Sequence, residues 1–346
     1  MLGLSKQSQA SGAVEPVLDP LIFYMGIGGL NTVDIVVVEE ADLNEVHNIR
    51  IGTTPGSFNP SCVVYDPNTQ HAIAAGDGYI LAYNIKIPTR VGQVGYIGGP
   101  TTPTSMRIKD SVVFIVDDTT NTLRSYDVSD PKNITALDSV STGTGINQTM
   151  TLDDSRDYVY VTGSAQFDNF CVVDISDPNN LSVVSNTTIN YGSGVDYNGN
   201  YVYIKTASTP EVQIVNLTNA SSPSVSSYDI TPYGGGYGSL TINRSTDRAY
   251  IANQGEPMTV LNISNPTSPS VAATITSIQL DPDWSYEGLI YNDMLYLLDS
   301  LTLNAIDIST ADSPFVNATY TVPSGPDNNG QAGGAGLNYC VRTPDA

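Results

Sequence analysis

One short pattern returns seven times along this chain, and nothing constrains its fold more. It is an apolar run of five or six residues: Leu21-Ile-Phe-Tyr-Met-Gly, His71-Ala-Ile-Ala-Ala-Gly, Val112-Val-Phe-Ile-Val-Asp, Tyr158-Val-Tyr-Val-Thr-Gly, Tyr201-Val-Tyr-Ile-Lys, Arg248-Ala-Tyr-Ile-Ala-Asn and Met294-Leu-Tyr-Leu-Leu-Asp. The aligned residues Phe23, Ile73, Phe114, Tyr160, Tyr203, Tyr250 and Tyr296 are 50, 41, 46, 43, 47 and 46 residues apart. A fixed period of this length marks a repeat architecture, in which each unit is one supersecondary element that cannot bury its apolar face alone.

A second anchor follows the runs after the first: Asp127-Val-Ser-Asp-Pro, Asp174-Ile-Ser-Asp-Pro, Asn216-Leu-Thr-Asn, Asn262-Ile-Ser-Asn-Pro and Asp307-Ile-Ser-Thr, with Asn84-Ile-Lys-Ile-Pro as a degenerate copy. This is a strand ending in a turn. Pro cannot donate to a ladder, and an Asp or Asn side chain bonds its own backbone two residues on. A further strand follows each turn, as in Ser182-Val-Val-Ser and Ser270-Val-Ala-Ala-Thr-Ile. Another precedes each unit, as in Ser61-Cys-Val-Val-Tyr-Asp and Ser239-Leu-Thr-Ile-Asn. Four strands per unit and a period near 45 predict an all-β chain folded as a β-propeller. A solenoid is the alternative, but it needs capping repeats, and none is visible. Composition agrees: with 30 Gly, 21 Pro, 21 Tyr, 28 Asp and only 7 Glu, the residues favour strands and turns over helices.

The C-terminal segment Gly334-Ala-Gly-Leu-Asn-Tyr-Cys-Val-Arg resembles a first strand with no partners after it. Residues 21–52 resemble strands two to four with none before them. Joined, they make one blade, so the expectation is a seven-bladed β-propeller closed by pairing of N- and C-terminal strands, which removes exposed sheet edges. The propeller is predicted over residues 21–346. Residues 1–20 are left as an N-terminal docking arm, in which Leu2, Leu4, Val14, Val17 and Leu18 stand between small polar residues that cannot fold alone.

The repeat resembles the LVIVD family of propeller repeats. The best match is Cys171-Val-Val-Asp-Ile-Ser-Asp-Pro with Tyr158-Val-Tyr-Val before it; Leu123-Arg-Ser-Tyr-Asp-Val-Ser-Asp-Pro and Leu261-Asn-Ile-Ser-Asn-Pro are further copies. The resemblance covers roughly residues 60–325 and is weakest at Val38-Glu-Glu-Ala-Asp. It implies a propeller of the kind found mostly in exported or cell-surface proteins. It implies no single activity.

Thirteen Lys and Arg against 35 Asp and Glu leave a net charge of −22 over 346 residues. No basic face exists for neutralising phosphates, so nucleic acid is excluded as a partner, and anionic lipid with it. Few lysines with many aspartates is the composition expected of a surface kept hydrated in high salt. No run of about 18 apolar residues exists to insert in a membrane. The first residues lack the basic start and apolar stretch of a secretory signal, yet the Tyr, Thr, Asn and Gly content looks extracellular. Three cysteines, Cys62, Cys171 and Cys340, sit in apolar runs and are expected as free buried thiols.

The chain is poorly supplied for catalysis. Only His47 and His71 exist, on strands of different repeats, and no metalloprotease, nucleophile-elbow or phosphate-loop motif occurs. No cofactor is expected. Calcium is the one metal the carboxylate groups suit: Asp117 with Asp118, Asp153 and Asp154 with Asp157, and Asp281 and Asp283 with Glu287, all at turns where Asp is common anyway. Nine Asn-x-Ser/Thr sequons occur, several in the third-to-fourth strand turns.

The loops joining the fourth strand of one unit to the first of the next are richer. They hold aromatic, Asn/Asp and Gly residues that suit a polar ligand such as a glycan, or a protein interface. The recognition residues expected there are Tyr191, Tyr233, Tyr237, Trp284 and Tyr286; rings closing blade-to-blade packing are the alternative. The functional expectation is a non-enzymatic surface or assembly protein, a virion structural or host-recognition component from a saline setting. Its partners would be subunits of a larger assembly and a host glycan or protein. A secreted or cell-surface microbial binding propeller is the alternative.

Overall fold

The structure, a computed structural model, describes residues 21–27, 32–39, 45–52, 58, 60–87, 90–145, 148–163, 169–230, 236–280, 288–299, 302–321 and 338–342, with the backbone alone for 21–52 and 338–342. The described residues form 28 strands in seven four-stranded antiparallel sheets. Six sheets are each four consecutive strands, here blades 1 to 6. Blade 1 runs from β4 (Cys62–Asp66) to β7 (Gly92–Gly98) and blade 2 from β8 (Pro103–Lys109) to β11 (Thr135–Ser141). Blade 3 spans β12 (Thr149–Asp153) to β15 (Ser182–Thr187) and blade 4 spans β16 (Gly192–Asn198) to β19 (Ser224–Tyr228). Blade 5 runs from β20 (Gly238–Asn243) to β23 (Ser270–Gln279), and blade 6 from β24 (Leu289–Tyr291) to β27 (Phe315–Thr321).

The remaining sheet is assembled from both chain ends. β28 (Asn338–Arg342) pairs antiparallel with β1 (Leu21–Ile27), setting Cys340 opposite Phe23, and β2 (Thr32–Glu39) and β3 (Glu45–Gly52) follow. The first strands stand side by side around the axis, β28 next to β4, then β8, β12, β16, β20 and β24 in turn. This radial arrangement is an all-β propeller.

The core lies between blades. Along each second strand, alternate side chains point to opposite neighbours, which is why these runs are apolar throughout rather than alternating. Val159 and Val161 join the cluster shared with Phe114 and Val116 of blade 2, while Tyr160 between them joins Val195, Val202 and Val215 of blade 4. The anchors Ile73, Phe114, Tyr160, Tyr203 and Tyr250 face forward. Ile73 packs with Met106 and Val113, Phe114 with Met150, Tyr203 with Leu240 and Ile251, and Tyr250 with Leu295 and Ile306. Each fully buried ring removes a large apolar area from water, on the order of 2–3 kcal/mol for a side chain of this size.

The second anchor is the turn its residues demand. In Asp127, Asp174, Asn216, Asn262 and Asp307 a side-chain oxygen accepts the N–H two residues on, at 2.8, 2.9, 2.9, 3.0 and 2.8 Å, and the degenerate Asn84 does so at 3.0 Å. Cys62 is buried, and Cys171 is a free buried thiol that burial pushes up to about 12. The side chain of Cys340 and the docking arm with Leu2, Leu4, Val14, Val17 and Leu18 lie outside the described residues.

Candidate functional site

First strands run from the face of the interblade loops to the face of the first-to-second strand turns, so every blade offers the same two ends. On the loop face, Tyr191 immediately precedes β16 and Tyr237 immediately precedes β20. Their rings meet edge to face, with centroids 5.4 Å apart at 81°, and both are half-buried. Each is pinned from its own blade: Ala207 N donates to Tyr191 O at 3.0 Å, and Gln254 N to Tyr237 O at 3.1 Å. Gly236, at φ 79°, supplies the left-handed residue that brings Tyr237 to this position. Under the same corner, Lys205 is fully buried, and its Nζ donates to Thr206 O at 2.6 Å and Gly236 O at 2.9 Å. Burial lowers its pKa to about 8, against the raising effect of Glu211. Two of the five expected recognition residues are thus brought together. Tyr233, Trp284 and Tyr286 lie outside the described residues.

On the turn face, polar side chains lace each blade to the next. Ser111 Oγ donates to Asp66 at 3.2 Å between blades 1 and 2. Lys109 is paired with Asp157 and donates to Asp154 O at 2.9 Å, from blade 2 to blade 3. Arg156 donates to Asn200 at 3.1 Å and Gly199 O at 2.9 Å in blade 4; Asn198 donates to Asp247 at 2.8 Å in blade 5; Arg248 pairs with Asp312 of blade 6 at 2.5 Å. The described carboxylates considered for calcium therefore have protein work. Asp153 is fully buried against Arg156 at 2.7 Å, and Asp117 is fully buried against Arg124 at 3.1 Å. Among the described residues no group of three or more His, Cys, Asp or Glu is placed to hold a metal ion. His71 is buried, with Nδ1 2.6 Å from Thr69 O, and burial lowers its pKa; His47 belongs to β3, where only the backbone is described.

Between the two faces runs a cavity of about 780 Å³, lined by the first strands of all six consecutive blades. Strand register sorts its wall into levels. The residues opposite the repeat anchors are Val64, Arg107, Thr151, Asp196, Thr241 and Leu289, and all six line the cavity. Toward the turn face stand Tyr65, Tyr197, Ile242 and Ile290, with Asp154, Arg244 and Tyr291 at the rim. Desolvation at the mouth raises the Asp154 carboxyl, opposed by Lys109 and reinforced by Asp110, Asp153 and Asp157. The sequence reading missed Arg107, Asp196 and Arg244. Arg107 and Asp196 are charged residues inside first strands β8 and β16, and Arg244 directly follows β20.

The LVIVD repeat model matches residues 149–188 and 243–276. The first match coincides with blade 3 and the second covers most of blade 5, a narrower span than the 60–325 read from the sequence. No curated protein matches the chain. Among solved structures, a functionally unknown protein from Desulfotomaculum acetoxidans is 12% identical with a TM-score of 0.67, covering 92% of this chain and 98% of its own. A protein from Lactobacillus plantarum is 14% identical with a TM-score of 0.68, covering 94% and 98%. The periplasmic gluconolactonase of Pseudomonas aeruginosa is 12% identical with a TM-score of 0.66, covering 92% and 99%. At such identities the likeness is one of fold.

Proposed function

Because this chain is a β-propeller built on LVIVD repeats, a scaffold that carries no chemistry of its own, we propose that it is a non-enzymatic binding module on the exterior of an assembly. The reading is a virion structural or host-recognition component from a saline environment. It recognises a glycan or protein with the loop face around Tyr191 and Tyr237, together with the expected Tyr233, Trp284 and Tyr286. The observation that carries it is the Tyr191–Tyr237 pair. Two blades each place a half-exposed ring at one corner of that face, where an interface or a sugar ring finds aromatic surface. The acidic surface supports the saline setting, since net charge governs hydration and association.

Two finer elements belong to the same proposal. The terminal sheet takes the seventh place in a closed ring, between blades 6 and 1. Residues 1–20 dock on a neighbouring subunit. The gluconolactonase likeness does not displace the binding reading, because it rests on fold at 12% identity.

The test is threefold. An antibody to the propeller should label the outside of released particles; labelling confined to secreted soluble protein or to microbial cell surfaces would instead select the alternative reading. On an array of neutral and acidic oligosaccharides and on intact host cells, the double variant Tyr191→Ala/Tyr237→Ala should bind at least about 30-fold more weakly, as expected of a hot spot worth about 2 kcal/mol. Deleting residues 1–20 should leave thermal unfolding unchanged while abolishing incorporation. Unchanged binding by the double variant removes the loop face from consideration.

A further inference from the structure

We propose that the central cavity is a second binding site, on the axis and separate from the loop face, for a small hydroxylated monocarboxylate. Its carboxylate would be held by Arg244 and Arg107, and its hydroxyls by the phenols of Tyr197 and Tyr291. A cavity of about 780 Å³ lies in the range of small-molecule sites, and its wall mixes apolar strand residues with polar and charged ones in about equal measure.

Charge decides the sign of the ligand. The chain carries a net charge of −22 and only eight arginines, yet two of them, Arg107 and Arg244, stand in this wall against two carboxylates, Asp154 and Asp196. Asp196 is already occupied. It accepts from Tyr197 N and Ile242 N at 2.8 Å each, from Arg244 Nη2 at 2.5 Å and from Thr151 Oγ1 at 3.4 Å. Three of these donors converge on Oδ1 and Ile242 N takes Oδ2, so the carboxylate is committed to its own neighbours and holds Arg244 in place. Arg244 in turn lies 4.1 Å from the centroid of the Tyr197 ring. Its side chain is 43% exposed, and among the described residues only Nη2 has a protein acceptor, so Nε and Nη1 remain as donors. A guanidinium edge held this way matches a carboxylate.

The hydroxyls follow from the rim. Tyr197 and Tyr291 both line the cavity, are half-buried, and have no hydrogen-bond partner for their phenols among the described residues. Phenols both donate and accept, which suits alcohols. A monoanion is favoured over phosphate because the field of the whole acidic molecule penalises each added negative charge.

Isothermal titration of the full chain with D-galacturonate, with D-galactose and inorganic phosphate as comparisons, tests this. Galacturonate should bind one per chain, with galactose and phosphate each at least about tenfold weaker, the ratio one charge-assisted hydrogen bond produces. Arg244→Gln and Arg107→Gln should each weaken galacturonate at least about tenfold, while Tyr191→Ala on the other face leaves it unchanged. Should either arginine variant fail to fold, Tyr291→Phe, which removes one rim hydroxyl, should weaken binding several-fold with thermal unfolding intact. Absence of galacturonate binding, equal binding of galactose, tighter binding of phosphate, survival of binding in both arginine variants, or an unchanged affinity in Tyr291→Phe would each overturn the proposal.

Discussion

Close approach between blades is decided by single residues. A Cβ built on Gly194 of β16 would lie 2.8 Å from Leu240 N and 3.1 Å from Gly238 O, so the first strands of blades 4 and 5 touch only because this side chain is missing. Gly92, a strand glycine with nothing within 4 Å of its Cβ position, is the control. Gly194→Ala should cost about 1–3 kcal/mol by overpacking, while Gly92→Ala should be within about 0.5 kcal/mol of wild type or stabilising. Urea unfolding of both variants checks it, and equal effects would contradict the packing account. Arg156 is the polar counterpart. It binds the fully buried Asp153 at 2.7 Å and the Tyr160 hydroxyl at 2.5 Å, with its guanidinium carbon 5.7 Å from the centroid of the Tyr160 ring. Burial raises the Asp153 carboxyl, but hydrogen bonds from Ser155, Arg156 and Tyr160 hold it below its ordinary value. A depressed carboxyl contributes stability that is present above the unfolded value of about 4 and lost as pH falls through the folded one. Arg156→Met should therefore cost about 3 kcal/mol at neutral pH, because it leaves Asp153 with fewer donors. It should also flatten the loss of stability below about pH 4. Unfolding free energies of both proteins at neutral and acid pH measure this.

At the scale of elements, the six Asx turns set where third strands stop and fourth strands begin. The turn of Asp174 is representative: its carboxylate accepts Ser176 N at 2.9 Å. Asp174→Ala should cost about 1 kcal/mol, the net worth of one such bond, and Asp174→Asn should restore most of it, since Asn fills the same place at Asn216 and Asn262. A variant pair that loses stability equally would assign the effect to charge instead of turn geometry. These turns were legible in the sequence because they are local: the side chain bonds a backbone group two residues away. The inter-blade lacing was not, since Lys109 meets Asp157 and Arg248 meets Asp312 across 48 and 64 residues, and only the superposition of blades brings them together.

For the whole molecule, titration of buried tyrosines sets the alkaline limit. Burial pushes Tyr250 up to about 12, and Tyr83, Tyr160 and Tyr203 further. An acid whose folded value is raised contributes stability that is complete below its unfolded value, about 10 for tyrosine, and lost as pH rises beyond it. Lys205 works the other way. Its folded value of about 8 lies below the unfolded one, so its destabilising effect is present below about pH 8 and is relieved as pH rises toward about 10. Stability should rise from pH 8 to about 10 and fall beyond it. Lys205→Met should flatten the rise, and Tyr250→Phe should soften the fall. A net charge of −22 adds self-repulsion. Raising salt from about 0.05 to 1 M, where screening lengths shrink to a few ångströms, should raise the midpoint of thermal unfolding; a fall would argue against the saline reading.

The sequence by itself determined the repeat, the four strands per unit, the turn chemistry, and the pairing of the terminal segments in one sheet. Each of these is written in periodicity or in contacts a few residues long. Of the loop face it held the residue types and their positions, so Tyr191 and Tyr237 could be named before their rings were seen to meet. Only the tertiary structure decided that Arg107 and Asp196 share a level of one cavity, that Arg244 lies against Tyr197, and that Lys205 is buried beneath the tyrosine pair. Those residues come from different blades. Their neighbourhood is created by the ring around which the blades stand, and no local preference records it.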